Sequence, residues 1–135
     1  MDDLPHFLQY GDEVTIPARE LIYKVGEPTG DTPIYYVIAG LAKLEYPLSA
    51  SSFPLWITPE NLFGLVEPLA ECPRIGTVRA SERMILYRWT VENFTLAAAV
   101  SWELGLATIA GLTRELRILN AEFGERLSRR EEGRR

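Results

Sequence analysis

The stretch Phe63-Gly64-Leu65-Val66-Glu67-Pro68-Leu69-Ala70-Glu71-Cys72-Pro73-Arg74-Ile75-Gly76-Thr77-Val78-Arg79-Ala80 decides how the rest of the chain is read. A glycine turn at Gly64 leads into a single helical turn, Pro73 stops it, and a cation, Arg74, stands at the mouth of a strand beginning at Ile75. Exposed N–H groups at the start of a short helix, facing a guanidinium, favour negative charge because amide dipoles and cation act together. One phosphate is the natural guest. Taken alone, the same residues also fit an ordinary surface turn.

Upstream, from Asp12 to Arg88, the chain is written in short runs rich in Val, Ile, Leu, Tyr and Trp, cut by Gly and Pro. That punctuation predicts a sandwich or barrel of short strands. The runs are Glu13–Ile16, Leu21–Lys24, Ile34–Ala39, Leu41–Tyr46, Phe53–Ile57, Asn61–Phe63, Ile75–Ala80 and Met84–Arg88. Gly26-Glu27-Pro28-Thr29-Gly30-Asp31 is a turn cluster, and Ala39-Gly40 makes a tight connection. Pro47 and Pro54 bracket Leu48–Ser52, which reads as a mobile loop.

After Trp89 the period changes from two to about 3.6. Thr90 caps a short apolar helix, Val91–Val100, and Ser101 caps a long one from Glu103 to about Arg130. Ile109, Leu112, Leu116, Leu119, Phe123 and Leu127 form one apolar seam along it. A helix of that length runs roughly 40 Å, more than the body can cover. The upper half of the seam is expected on the body, and the part from about Leu116 on a partner helix, which makes a parallel coiled-coil homodimer the expected partnership. Gly105, Gly111 and Gly124 each weaken the helix by about 1 kcal/mol relative to alanine, and allow either close approach of another backbone or a bend. The organisation expected is residues 1–100 as the strand-rich body with its short helix, and residues 101–135 as the dimerisation helix of the same domain.

Composition narrows the chemistry. The 135 residues are 47% hydrophobic, enough for one core and too few for two domains. No apolar run reaches the roughly 18 to 20 residues of a membrane span, and the acidic start Met1-Asp2-Asp3 is unlike a signal peptide, so a cytoplasmic location is expected. The net charge of −5 opposes nucleic-acid binding, and the terminal arginines are interleaved with Glu125, Glu131 and Glu132 as on a solvated helix end. One cysteine and one histidine, Cys72 and His6, leave no metal set and no nucleophile–base pair, so no catalytic site, metal or cofactor is expected. Arg74 beside Cys72 favours thiolate, but with no second cysteine an inert small residue is the plainer reading. Trp56, Trp89 and Trp102 are expected to anchor the core and the junction with the helices.

The stretch from Phe63 to Ala80 resembles the phosphate-binding cassette of the cyclic-nucleotide-binding domain family, of the catabolite-activator type. The matches are Phe63, Gly64, Pro73, Arg74, Thr77, Val78, Arg79 and Ala80. Ile16–Glu27 is similar to the family's opening and Ile34–Leu44 to its third and fourth strands, with Gly26, Gly40 and Gly64 at its turns. The resemblance implies a mostly β fold with C-terminal α structure: an eight-stranded antiparallel, jelly-roll-like β-roll followed by a long helix. It implies cAMP or cGMP as ligand. Arg74 would pair with the cyclic phosphate, aided by backbone N–H groups of Ile75 and of the short helix around Gly64, Leu65 and Val66. Asn120 would reach the purine, Leu44 and Val78 would line the apolar wall, and Phe123 or Leu119 would cap it.

Two departures matter. Leu65 stands where the family carries a glutamate that accepts from the ribose 2′-hydroxyl, which lowers nucleotide affinity by roughly ten- to a hundredfold. Glu67 would replace it only if the short helix shifted register, and Ile75 adds bulk where the family has a small residue. The functions these residues predict are a stand-alone regulatory sensor binding a cyclic nucleotide or related anion and signalling through the dimer helix, or a degenerate, nucleotide-free module acting as a dimeric adaptor for a protein partner. A helix-turn-helix is not expected in the few residues after the long helix, unless the chain is a fragment of a larger ancestor.

Overall fold

The computed structural model describes residues 4–47 and 55–134, with side chains as far as residue 121. Along it run β1 (Asp12–Ile16), β2 (Leu21–Tyr23), β3 (Ile34–Ala39), β4 (Ala42–Glu45), β5 (Leu55–Ile57), β6 (Leu62–Phe63), α1 (Val66–Ala70), β7 (Thr77–Ala80), β8 (Met84–Trp89), α2 (Val91–Val100) and α3 (Trp102–Arg134). The strands form two antiparallel four-stranded sheets, ordered β1-β8-β3-β6 and β2-β7-β4-β5. The mostly β roll with C-terminal helices is therefore as expected.

Alternation along the central strands divides the core in two. On β3, Ile34 and Tyr36 face the helices while Val37 faces the roll interior; on β8, Trp89 faces the helices while Met84 and Leu86 face inward. These strands are covered on both faces, which is why they read as nearly continuous apolar runs. The outer face of the other sheet is polar at Lys43, Glu45 and Arg79, the last two exposed. Trp89 is the central anchor, fully buried, with its indole N–H donating to the Gln9 carbonyl at 2.7 Å. Trp56 and Trp102 instead lie largely exposed, which corrects their expected anchoring role.

Local chemistry ends the elements where it was expected to. The Thr90 hydroxyl accepts from the Asn93 N–H at 3.0 Å and the Ser101 hydroxyl from the Leu104 N–H at 3.3 Å, capping α2 and α3. β7 starts later than its run of β-formers predicts. The backbone of Arg74 is bound to the β2–β3 turn instead, with Gly26 N–H on the Arg74 carbonyl at 2.7 Å and Arg74 N–H on the Glu27 carbonyl at 2.9 Å. The expected loop at Leu48–Ser52 and the start of a strand at Phe53 lie outside the described residues.

Helix α3 also divides its apolar residues differently from the single seam. Leu104, Ala107 and Leu112 pack on the roll, and Leu119 lines a concavity beside it, whereas Trp102, Leu106, Ile109 and Leu116 are more than half exposed. The outward face thus begins at the top of α3, not at Leu116, because the roll covers only one side of the helix. Gly111 lets α3 lie close under the roll: a β-carbon there would lie 2.9 Å from the Leu65 side chain. The side chains of Phe123 and Leu127, and the surroundings of Gly124, lie outside the described residues.

The β3–β4 connection depends on Gly40, whose φ is +97° and whose absent β-carbon would fall 2.5 Å from the Arg83 carbonyl. Gly40→Ala combines a left-handed backbone with a clash against main chain. It is expected to lower unfolding free energy on the order of 2–4 kcal/mol in urea denaturation, with the slope of the transition unchanged.

Candidate functional site

The residues from Phe63 to Arg74 fold back under the roll through one buried cation. Arg74 is only 2% exposed. Its Nη1 donates to Glu67 Oε1 at 3.0 Å and to the Gly64 carbonyl at 3.3 Å, and its Nη2 donates to the Pro33 carbonyl at 2.7 Å. The guanidinium carbon also sits 3.9 Å from the centre of the Tyr23 ring. Burial pushes the Tyr23 hydroxyl well above its usual range, with Glu67 adding to the effect and Arg74 opposing it, so the ring under the cation is a neutral phenol. The remaining Nε–H is buried with no acceptor among the described residues.

Glycine is required at position 64 for this cage. Its φ is +77°, and a β-carbon would lie 2.6 Å from the Pro33 carbonyl and 3.1 Å from Arg74 Nη1. Glu67, in the first turn of α1, is 5% exposed and turned inward to Arg74. Glu67 and Leu65 thus point apart, Leu65 into the helix-facing core and Glu67 to Arg74. Cys72 is a partly exposed free thiol whose N–H donates to the Glu67 carbonyl at 3.0 Å.

Beside this cage lies a concavity of about 140 Å³ between the roll, α1 and α3. Leu44, Ile57 and Ile75 supply apolar surface, Val66 and Glu67 the α1 side, and Arg114, Glu115, Ile118 and Leu119 the α3 side. It is smaller than the roughly 300–1,000 Å³ of usual small-molecule sites. Two polar contacts hold α3 over it. Arg114 donates to Asn61 Oδ1 at 2.6 Å and to the Leu62 carbonyl at 2.9 Å, while the Glu115 carboxyl oxygens accept from Leu65 N–H at 3.4 Å and Val66 N–H at 3.1 Å. Burial raises the Glu115 carboxyl to about 7; Glu67 adds to this, and the two amide bonds and Arg114 work against it.

The expected site residues are thus brought partly together. Val66 and Ile75 line the concavity, as do Leu44 and Leu119. Gly64 contributes its carbonyl to Arg74, and Leu65 contributes its N–H to Glu115 while its side chain is fully buried in the helix-facing core. Val78 lies in the roll interior and not in the wall of the concavity. Asn120 is exposed and outside that wall, because one residue past Leu119 is a rotation of roughly 100° around the helix. Reasoning from sequence missed Glu115, Arg114 and Asn61. Glu115 was discoverable: it shares a helical face with Gly111, Ile118 and Leu119, so a lone carboxylate interrupts the roll-facing side.

The fold is the β-roll plus helix of cyclic-nucleotide-binding domains, the class the stretch from Phe63 to Ala80 resembles. The catabolite activator protein of Thermus thermophilus superposes with a TM-score of 0.70 at 25% identity, covering 90% of this chain and 57% of that one. The sensor domain of the transcriptional regulator DNR from Pseudomonas aeruginosa gives 0.59 at 22% identity, with 86% and 78% covered. PKAR CBD2 bound to Sp-2Cl-cAMPS gives 0.62 at 22%, with 83% and 71% covered. No family model matches the chain, and no curated protein matches it. These neighbours are regulatory and sensor domains rather than catalytic ones. Among the described residues no helix is long and apolar enough to cross a membrane, and no group of three or more His, Cys, Asp or Glu could hold a metal ion.

The pairing of Arg74 with Glu67 has a measurable signature. Arg74→Met or Glu67→Leu alone strands a buried charge and is expected to cost about 3–5 kcal/mol in urea unfolding. The double variant is expected to lose clearly less than the sum of the two, since neither charge is then left unpaired.

Proposed function

We propose that this chain is a regulatory sensor domain that takes a cyclic nucleotide, or a related small anion, into the concavity beside Arg74 and reports its presence through α3. The observation that carries this reading is that α3 is itself one wall of the concavity, through Arg114, Glu115, Ile118 and Leu119. The concavity, at about 140 Å³, is small for a nucleotide, and an occupant that needs more room gains it by moving α3, which ties occupancy to helix position. Arg74 does not itself line the concavity, so its buried, unpartnered Nε–H meets a ligand oxygen only if the cage around it opens.

The output on this reading is a homodimer formed by the outward face of α3. Trp102, Leu106, Ile109 and Leu116 follow one another at steps of 4, 3 and 7, the spacing of a two-helix seam, and their exposure leaves them free for a second copy. A specific observation favours the second reading, a nucleotide-free adaptor. Arg74 already has internal acceptors in Glu67, Gly64 and Pro33, which a domain with no phosphate to bind would require.

Thermal denaturation with cAMP and with cGMP separates the two. The sensor reading expects a rise in Tm on the order of 5–10 °C at a hundredfold excess over Kd, and loss of that rise in Leu119→Trp, which fills the concavity. No rise with either nucleotide supports the adaptor. Because Leu65 is a core residue, Leu65→Glu would unfold the domain rather than restore a ribose contact. For the dimer, Ile109→Glu with Leu116→Glu is expected to yield monomers in sedimentation velocity; a monomeric wild type refutes the seam.

A further inference from the structure

The contact between α3 and the start of α1 uses a chemistry that an ordinary packing contact does not need. A carboxyl group has been brought under the roll, where it meets two backbone N–H groups on one side and a second carboxyl group, Glu67, on the other. Apolar packing at Gly111, Leu112 and Leu104 already holds α3 to the roll, so the carboxyl is not required for attachment. It also lies in the wall of the concavity, beside Val66, Glu67 and Leu119.

We infer that Glu115 is a latch: it closes α3 over the concavity by binding the Leu65 and Val66 N–H groups, and an occupant of the concavity must displace it. The inference rests on the sensor reading for its ligand, but not for the latch itself. An anion entering the concavity would compete with the Glu115 carboxyl for the same two donors, so binding frees α3 through the contact that holds it shut. The Leu65 and Val66 amides are 50 and 49 residues from Glu115 in the chain, so the contact joins the cassette directly to the output helix.

The groups facing Glu115 set the direction of its pH response. They are Glu67 on α1, Arg114 on α3 and Tyr23 on β2, with Tyr46 after β4 lining the same concavity. With the latch closed, the carboxyl titrates at about 7, against the ordinary 4.5 once it is released into water. The closed form therefore holds its proton more tightly than the open form. Closure is strongest below about 4.5, and weakens as pH rises through about 7, because a charge then has to be kept beside Glu67 with little water. Across that window the ratio of closed to open latch is expected to fall on the order of a hundredfold.

The test uses the full chain. In wild-type protein, the amide resonances of Leu65 and Val66 are expected to move together between pH 5 and 8.5 with a midpoint near 7, and Glu115→Gln is expected to abolish that movement. A midpoint in the ordinary carboxylate range, or amides that ignore the substitution, overturns the latch. Calorimetric titration with cAMP at pH 5, where the latch is closed, tests the competition: Glu115→Ala is expected to bind ten- to a hundredfold more tightly than wild type. Equal binding by both proteins overturns displacement and leaves the sensor reading standing. If neither binds cAMP or cGMP while the amides still titrate through Glu115, the latch stands and the cyclic-nucleotide reading falls.

Discussion

A guanidinium taken out of water must find its acceptors inside the protein, and Arg74 finds them in three parts of the fold at once. Pro33 lies just before β3, Gly64 in the turn after β6, and Glu67 in α1. Each bond to a charged group is stronger than a neutral one, and each loses its value if a partner moves. The cage therefore fixes where α1 lies against the roll. It also explains the conformation of Gly64, since any side chain there would meet both the Pro33 carbonyl and the cation it binds.

With α1 placed, the rest of the site follows. The Leu65 and Val66 amides are presented toward α3, Ile75 and Leu44 form an apolar floor, and α3 closes the space with Glu115 and Leu119. One side of α3 is thus committed to the roll. The other carries Trp102, Leu106, Ile109 and Leu116 into solvent. A helix divided in this way can change what its outer face offers only if its inner contacts change. Those contacts combine apolar packing by Leu104, Ala107, Gly111 and Leu112 with the Arg114 bonds to Asn61 and Leu62 and the Glu115 carboxyl.

Much of this fold is legible in the order of residues. The strand pattern follows from Gly and Pro punctuation, β3 appears at its full length as Ile34–Ala39, and Thr90 and Ser101 cap helices through their own side chains. Those signals are local, acting over a few residues of chain. The site was less legible. The cassette residues Gly64, Val66, Arg74 and Ile75 were picked out, but Arg74 is spent on the protein's own acceptors, Asn120 turns outward, and Glu67 points in. The seam on α3 was a projection onto an isolated helix. Which of its sides is covered depends on the direction from which the roll approaches, and periodicity alone does not contain that direction.

By itself the sequence determined the β-roll, its turns, the two terminal helices and the cassette around Arg74, because glycine conformations, caps and alternation are decided by neighbours along the chain. Only the tertiary structure decided which polar group satisfies which. Arg74 reaches a carbonyl 41 residues away and Glu115 reaches amides 49 and 50 residues away. Such pairings exist only once the backbone has folded, when burial removes water as the competing partner and leaves each charge the acceptors and donors that happen to lie within about 3 Å.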